Sequence, residues 1–217
     1  MKRVTIISKW IAVLAVLFFF LLFVNHRYER QTTFLRSVYI DNIKDNFINK
    51  DIVVDYIEEK FMTLDSLLIT DFNKDALEYI LNKHTVIKKA EVFTHQNGDI
   101  FIDIKQRNAI VRLKNNISDC YIDDAGIPME LSNHYTADLP VATGNILEED
   151  YVLLLNFIRD INKSDFWKSQ ITQIHFVSED VQLVPRVGNH VITFSKFDND
   201  IKSKLDDLFE FYKLVMP

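Results

Sequence analysis

Residues 73–105 read NKDALEYILNKHTVIKKAEVFTHQNGDIFIDIK, and a change of period inside this stretch decides the fold around it. Leu77, Ile80 and Leu81 recur at helical spacing, and Asn73 ahead of them is a residue type whose side chain caps a first turn. Beyond His84 the period shortens to two. Val86–Thr94 and Ile100–Lys105 read as strands, with Ile100, Ile102 and Ile104 on one face and Phe101, Asp103 and Lys105 on the other. Gln96-Asn97-Gly98-Asp99 joins them, and its Asn-Gly pair predicts a two-residue type I′ turn. Upstream, Asn49 is placed to cap a helix running to about Lys60, with Ile52, Val53, Tyr56 and Ile57 on one face. Leu35–Ile43 is extended, with Val38 and Ile40 as its apolar positions. The order over 35–107 is therefore β-α-α-β-β.

Further toward the N-terminus, Trp10–Val24 is an unbroken apolar run of fifteen residues. Extended back to Val4 it gives 21 residues, roughly 31 Å of helix, enough to cross a hydrocarbon core. Lys9 lies near one end, where its ammonium can reach the headgroups. A cleaved signal peptide has a similar apolar run, but no Ala-x-Ala-like site occurs in Phe23–Tyr28, which favours a retained anchor. Lys2, Arg3 and Lys9 outweigh Arg27 and Arg30, which puts the N-terminus in the cytoplasm and residues 25–217 outside it. Residues 1–9 then form a cytoplasmic tail, 10–24 the transmembrane core and 25–34 (NHRYERQTTF) a polar stalk.

After Arg107 the texture changes to short strands: Ala109–Leu113, Asp119–Asp123, Ile127–Leu131 and Val141–Thr143, with a turn at Asp124-Ala125-Gly126. A helix over Glu148–Ile161 opens on three acids that suit its positive end. Ile171–Val177, Val181–Val184 and His190–Phe194 read as strands, and an amphipathic helix over Asn199–Val215 follows. The body is α+β in two domains, 35–107 and 108–217, the second a mixed sheet with flanking helices.

Composition excludes several function classes. The net charge is −6 although residues 1–24 hold Lys2, Arg3 and Lys9 and no acid, so the body beyond them is more acidic still, and an acidic body offers no electrostatic footprint for nucleic acid. Cys120 is the only cysteine, so no internal disulfide and no multi-cysteine metal site can form; its place in a strand suits a small buried hydrophobe. Four scattered glycines build no phosphate cradle. The six histidines (26, 84, 95, 134, 175 and 190) lack metal-ligand spacing. Asp123-Asp124 resembles a paired-carboxylate site, but adjacent strand residues face opposite ways, and a turn role before Gly126 fits better. No nucleophile, base and orienter come together, so the sequence predicts no enzyme, no cofactor, no metal and no small-molecule substrate. The aromatic residues fall at core-like positions. What remains is a small mixed sheet whose open edges can accept a strand from a partner.

The βααββ unit resembles a POTRA domain, most tellingly over Ala76–Val92 (ALEYILNKHTVIKKAEV), with Thr85 where the family commonly has proline. Tyr121-Ile122-Asp123-Asp124-Ala125-Gly126 is similar to the hydrophobic-Asp-x-x-Gly hairpin that opens the next domain in the FtsQ/DivIB family of cell-division proteins. Leu139–Gly144 resembles that family's L-P-x-x-x-G, and Val184–Ile192 with the Lys204-Leu205 helix resembles its last section. The Pro185-Arg186-Val187-Gly188 version is similar to the Bacteroidetes branch. With the N-terminal anchor, the resemblance covers nearly the whole chain in order.

The resemblance implies a non-catalytic divisome scaffold in the inner membrane. Such a protein has a periplasmic body enriched at the septum. It links early and late division proteins and binds the FtsB–FtsL pair to regulate septal peptidoglycan synthesis. Family members continue beyond the final helix into terminal strands, whereas this sequence stops at Val215-Met216-Pro217. The C-terminal strands are therefore expected to be missing, or the docking edge to differ. His190, Val191 and Thr193 of the preceding strand are the expected partner-binding residues. Two other readings compete: a POTRA-type envelope assembly or secretion factor, and a membrane-anchored envelope enzyme with an unrecognised site.

Overall fold

A computed structural model describes residues 2–41, 45–146, 148–178, 180–195 and 200–215. The α+β class, the N-terminal apolar helix and the two kinds of domain anticipated from sequence are all present. Helix α1 spans Lys2–Glu29. Its apolar side chains from Trp10 to Val24 are 50–72% exposed, so no protein core covers them. The helix does not stop at the end of the apolar block. It continues into the polar residues read as a stalk, which contain no Gly or Pro before Glu29, and Asn25 Nδ2 donates to Glu29 Oε1 one turn on (2.7 Å).

The first compact unit holds β1 (Phe34–Asp41), α2 (Lys50–Lys60), α3 (Lys74–Asn82), β2 (Ile87–Thr94) and β3 (Asp99–Gln106). The strands lie in the order β1-β3-β2, with β1 parallel and β2 antiparallel to β3. Both expected caps form: Asn49 Oδ1 accepts from Ile52 N–H and Asn73 Oδ1 from Ala76 N–H, each at 3.0 Å. Val53 and Ile57 of α2 and Leu77 and Leu81 of α3 are buried, as are Ile100, Ile102 and Ile104 of β3. Phe101, Asp103 and Lys105 turn to the other face, as their alternation requires.

The β2–β3 connection corrects the type I′ expectation. His95 N–H donates to Asp99 O (2.9 Å) and Gly98 N–H to His95 O (3.0 Å), so three residues form the loop. Gly98 alone takes the left-handed conformation (φ +87°), whereas a type I′ turn would need it at Asn97 as well. Asn97 Oδ1 instead accepts from Asp99 N–H (3.2 Å). The glycine answers to a distant constraint too, because a Cβ there would lie 2.2 Å from the Thr32 carbonyl oxygen.

That contact belongs to a clasp on the chain leaving α1. Thr33, 1% exposed, donates its N–H to Leu67 O (2.7 Å) and its hydroxyl to Leu64 O, and its carbonyl accepts from Ser66 N–H (2.9 Å). Gln31 O accepts from Ile69 N–H (2.9 Å), Thr32 bridges to Leu68, and Phe34 N–H donates to Gly98 O (3.0 Å).

The second unit comprises residues 45–47 and the chain from Arg107 onward. Its strands are β4 (Ala109–Lys114), β5 (Asp119–Asp123), β6 (Pro128–Met129), β7 (Val141–Gly144), β8 (Ile171–Val177), β9 (Asp180–Pro185) and β10 (Ile192–Phe194). They form a seven-stranded sheet ordered β10-β9-β8-β7-β4-β5-β6, in which β8, β7 and β4 run parallel and the other neighbours antiparallel. Helices α4 (Glu148–Lys163), α5 (Asp165–Gln170) and α6 (Ile201–Val215) supply the core that covers one face. Val111, Ile122, Ala142, Ile174 and Leu183 meet Leu154, Phe157 and Ile158 of α4, Trp167 of α5, and Leu205 and Tyr212 of α6 there.

Three elements differ from expectation. The strand read over Ile127–Leu131 shrinks to Pro128–Met129, because Pro128 has no N–H to give a ladder. The last strand begins at Ile192 rather than His190. Helix α5 was not anticipated; at six residues it is too short to show a period, and Ser164 caps it through Trp167 N–H (3.4 Å). The side chains of Glu148-Glu149-Asp150 and the expected start of the last helix at Asn199 lie outside the described residues.

Asp123 organises the β5–β6 turn. It is fully buried; Oδ1 accepts from Ala125 N–H (2.9 Å) and Ile127 N–H (2.7 Å), and Oδ2 pairs with Arg107 Nη1 (3.0 Å). The turn role read for the Asp123-Asp124 pair is the one the structure assigns.

Two substitutions test these anchors by denaturant unfolding. Gly98→Ala forces a left-handed alanine into the Thr32 carbonyl and is expected to cost about 2 kcal/mol or more. Asp123→Ala strands Arg107 and two amides and is expected to cost about 3–5 kcal/mol, with Asp123→Asn losing markedly less because it keeps the Oδ1 acceptor.

Candidate partner-binding surface

A sheet edge is available to a partner only where its backbone groups are neither paired nor shielded. In the first unit, α3 closes the β2 edge with side chains. Asn82 Oδ1 accepts from Ala90 N–H (3.0 Å), Asn82 Nδ2 donates to Ala90 O (3.2 Å), and Glu78 Oε1 accepts from Val92 N–H (2.8 Å). At the start of β1, Leu35 N–H is taken by Asp65 Oδ1 (2.9 Å). In the second unit the β6 edge is two residues long. At the opposite side of that sheet β10 is the edge, and among the described residues no strand pairs with it on the side away from β9.

β10 is held antiparallel to β9 by the pairs Ile192↔Leu183, Thr193↔Gln182 and Phe194↔Val181. Ile192 and Phe194 pack against the core, so the intervening Thr193 is exposed on the opposite face. Val191, just before the strand, is 53% exposed. His190 points elsewhere. Its Nε2 makes a short hydrogen bond with the Tyr212 hydroxyl of α6, and the two rings lie 5.6 Å apart. Burial pushes the Tyr212 hydroxyl up from its ordinary value, which keeps it a neutral donor–acceptor in this contact. Tyr212 also meets Phe166 and Trp167 at ring distances of 5.5 and 5.6 Å, so the aromatic cluster of α5 and α6 fixes the approach to β10. Of the three residues singled out from sequence, Thr193 and Val191 are presented outward, while His190 anchors the segment.

The register extends Thr193 into a row across the uncovered face: Thr193, Gln182, His175, Thr143 and Lys114 occupy neighbouring positions on five consecutive strands. Gln173 Nε2 donates to Thr143 Oγ1 (2.9 Å), and Thr143 Oγ1 and His175 Nδ1 share a hydrogen bond (2.8 Å). Thr143 and His175 line an open groove of about 560 Å³ with Lys114, Asn116, Asn145 and the apolar Ile117 and Ile146. Sequence reading passed over Gln182, His175 and Thr143. Alternation in Ile171–Val177 carried the signal, with Ile174 and Phe176 buried and Gln173 and His175 preceding each of them.

At the far end of the same face, Phe47 is 2% exposed between Tyr121 and Tyr135, at ring distances of 5.0 and 5.1 Å. The Tyr135 hydroxyl donates to Asp45 Oδ1 (2.7 Å). Among the described residues no group of three His, Cys, Asp or Glu side chains is arranged to hold a metal. The thiol of Cys120 is half-buried and pushed up by that burial, which disfavours the reactive thiolate.

Among the described residues one helix is long and apolar enough to cross a membrane (Lys9–Glu29); a βααββ unit and a mixed sheet follow it, which defines the class of α+β proteins that carry a POTRA-like domain. The family model for the POTRA-like domain matches residues 36–105. The model described as FtsQ/DivIB, C-terminal related matches residues 108–217, half of the chain, and the chain belongs to this family of cell-division proteins. No curated protein matches it.

The Asp45 bond, and secondarily burial, push the Tyr135 hydroxyl up to about 12. Because this lies above the unfolded value of about 10, the bond contributes fully below about pH 10 and is lost as pH rises through about 12. Urea midpoints should fall over that window in the wild type, and Tyr135→Phe should remove that component.

Proposed function

We propose that this chain is a non-catalytic divisome scaffold, anchored in the inner membrane by α1 with its body in the periplasm at the septum. It binds the FtsB–FtsL pair and so links early division proteins to septal peptidoglycan synthesis. The observation that carries this reading is the open edge of β10 in the domain that matches the family. Strand addition supplies affinity through main-chain hydrogen bonds and selectivity through alternate side chains. At β10 those side chains are Thr193 and, beside the strand, Val191. An envelope assembly factor that presents the β2 edge of the POTRA-like sheet is disfavoured, because Glu78 and Asn82 already occupy that edge. The role of FtsB–FtsL as partner comes from the family and not from any contact in this chain.

The test is a binding titration of the whole chain in detergent or nanodiscs against the periplasmic part of the FtsB–FtsL pair from the same organism. Thr193→Pro removes the middle backbone donor of β10 and is expected to weaken binding about tenfold or more, near 1.4 kcal/mol or above. Thr193→Val keeps the donor and should stay within about twofold of wild type. Equal binding by both variants would move the docking site off β10. No binding by the wild type would remove the scaffold assignment.

A further inference from the structure

The chain between α1 and β1 is tied down from Gln31 onward. Gln31 N–H donates to Tyr28 O (3.1 Å) in the last turn of α1, and Gln31 O in turn accepts from Ile69 N–H (2.9 Å). Ile69 is therefore two hydrogen bonds from the helix, and Leu68 bridges directly to Thr32. The loop over residues 62–71 cannot drift from the end of α1 without breaking the Thr33 clasp, which makes bonds to Leu64, Ser66 and Leu67.

With Val24 at the hydrocarbon boundary, the five further helical residues to Glu29 rise only about 7.5 Å. The interfacial layer on each side of a bilayer is about 5–8 Å deep. The last turn of α1 thus ends within the headgroups, and the clasp brings loop 62–71 to the same level. The apolar side chains there are exposed in the free protein: Tyr28 44%, Phe34 50%, Met62 43% and Leu68 43%. The nearby charges cancel, with Arg27, Arg30 and Arg36 against Glu29, Asp65 and Asp71. An aqueous protein partner would have to fit between the domain and the bilayer. A lipid surface is already there, and aromatic and aliphatic side chains beside a span settle at this level.

We infer that loop 62–71 is a membrane-contacting element: the clasp seats Leu68 and Met62 in the headgroup–acyl boundary of the leaflet that α1 leaves, by apolar contact rather than by charge. This rests on α1 being a membrane span. The helix and the POTRA-like unit then move as one body on the membrane, with no free stalk between them.

The experiment uses the full chain with Cys120→Ser, reconstituted in zwitterionic phospholipid vesicles, carrying a polarity-sensitive fluorophore on Leu68→Cys or, separately, on Leu17→Cys. Each is quenched by a spin-labelled lipid or by aqueous iodide. Both probes should be quenched by the lipid label, and iodide should quench the Leu68 probe at least about threefold less than in a version with six Gly/Ser residues inserted between Arg30 and Gln31. Tenfold more salt should leave the Leu68 probe unchanged. A lipid-shielded Leu17 with a Leu68 probe open to iodide overturns the inference and leaves the anchor standing. A Leu17 probe open to iodide overturns both. Protection of Leu68 that survives the insertion also overturns it, since the clasp would then not be what holds the loop down. An unchanged unfolding transition checks that the inserted version is folded.

Discussion

Backbone N–H and C=O groups at the rim of a sheet must pair, be shielded or face water, and the surfaces of this protein follow from how each rim meets that demand. On β2 the demand is met from within: Glu78 and Asn82 reach from α3 to Val92 and Ala90, so the POTRA-like sheet is closed on that side. On β6 it is avoided by shortness. On β10 no strand lies beyond the edge among the described residues, and the strand is held in place because Ile192 and Phe194 pack on the core while His190 is held by Tyr212. An edge fixed in this way is a template whose geometry exists before a partner arrives, which lowers the ordering cost of binding.

The same demand explains the clasp in the first unit. A strand that begins at Phe34, so soon after α1 ends at Glu29, would leave its first amides and carbonyls unsatisfied if the connection were loose. Loop 62–71 supplies partners for Gln31 and Thr33, and the hairpin glycine supplies one for Phe34. Gly98 is required twice over, by its own backbone conformation and by the Thr32 carbonyl that occupies the space of its missing Cβ. The connection is therefore structural, although its composition reads as a polar linker. In the second unit, Asp123 performs a comparable task, binding two amides and the guanidinium of Arg107 at the point where the chain enters the sheet.

Much of this was legible in the chain. Asn49 and Asn73 marked helix starts, the isoleucines of β3 marked the buried face of the first sheet, and the acid-turn-glycine run marked the β5–β6 corner. All of these are local: a cap reaches three residues, a strand alternates every two, and a turn closes within four. The ordered motifs gave the family for the same reason, since they are short patterns within single elements. The uncovered row of Thr193, Gln182, His175 and Thr143 was not legible as a unit, because its members are separated in sequence by up to 32 residues between neighbours and meet only through register.

By itself, then, the sequence determined the N-terminal apolar helix, the βααββ order, the position of the caps and the α+β character of the second unit. Only tertiary structure decided that Asn97-Gly98 would sit in a three-residue loop, with Gly98 facing the Thr32 carbonyl. It also decided that His190 would turn inward to Tyr212 while Thr193 turned outward, and that one rim would be closed by α3 while another stayed open. These outcomes depend on partners far away along the chain, and local propensity has no term for them.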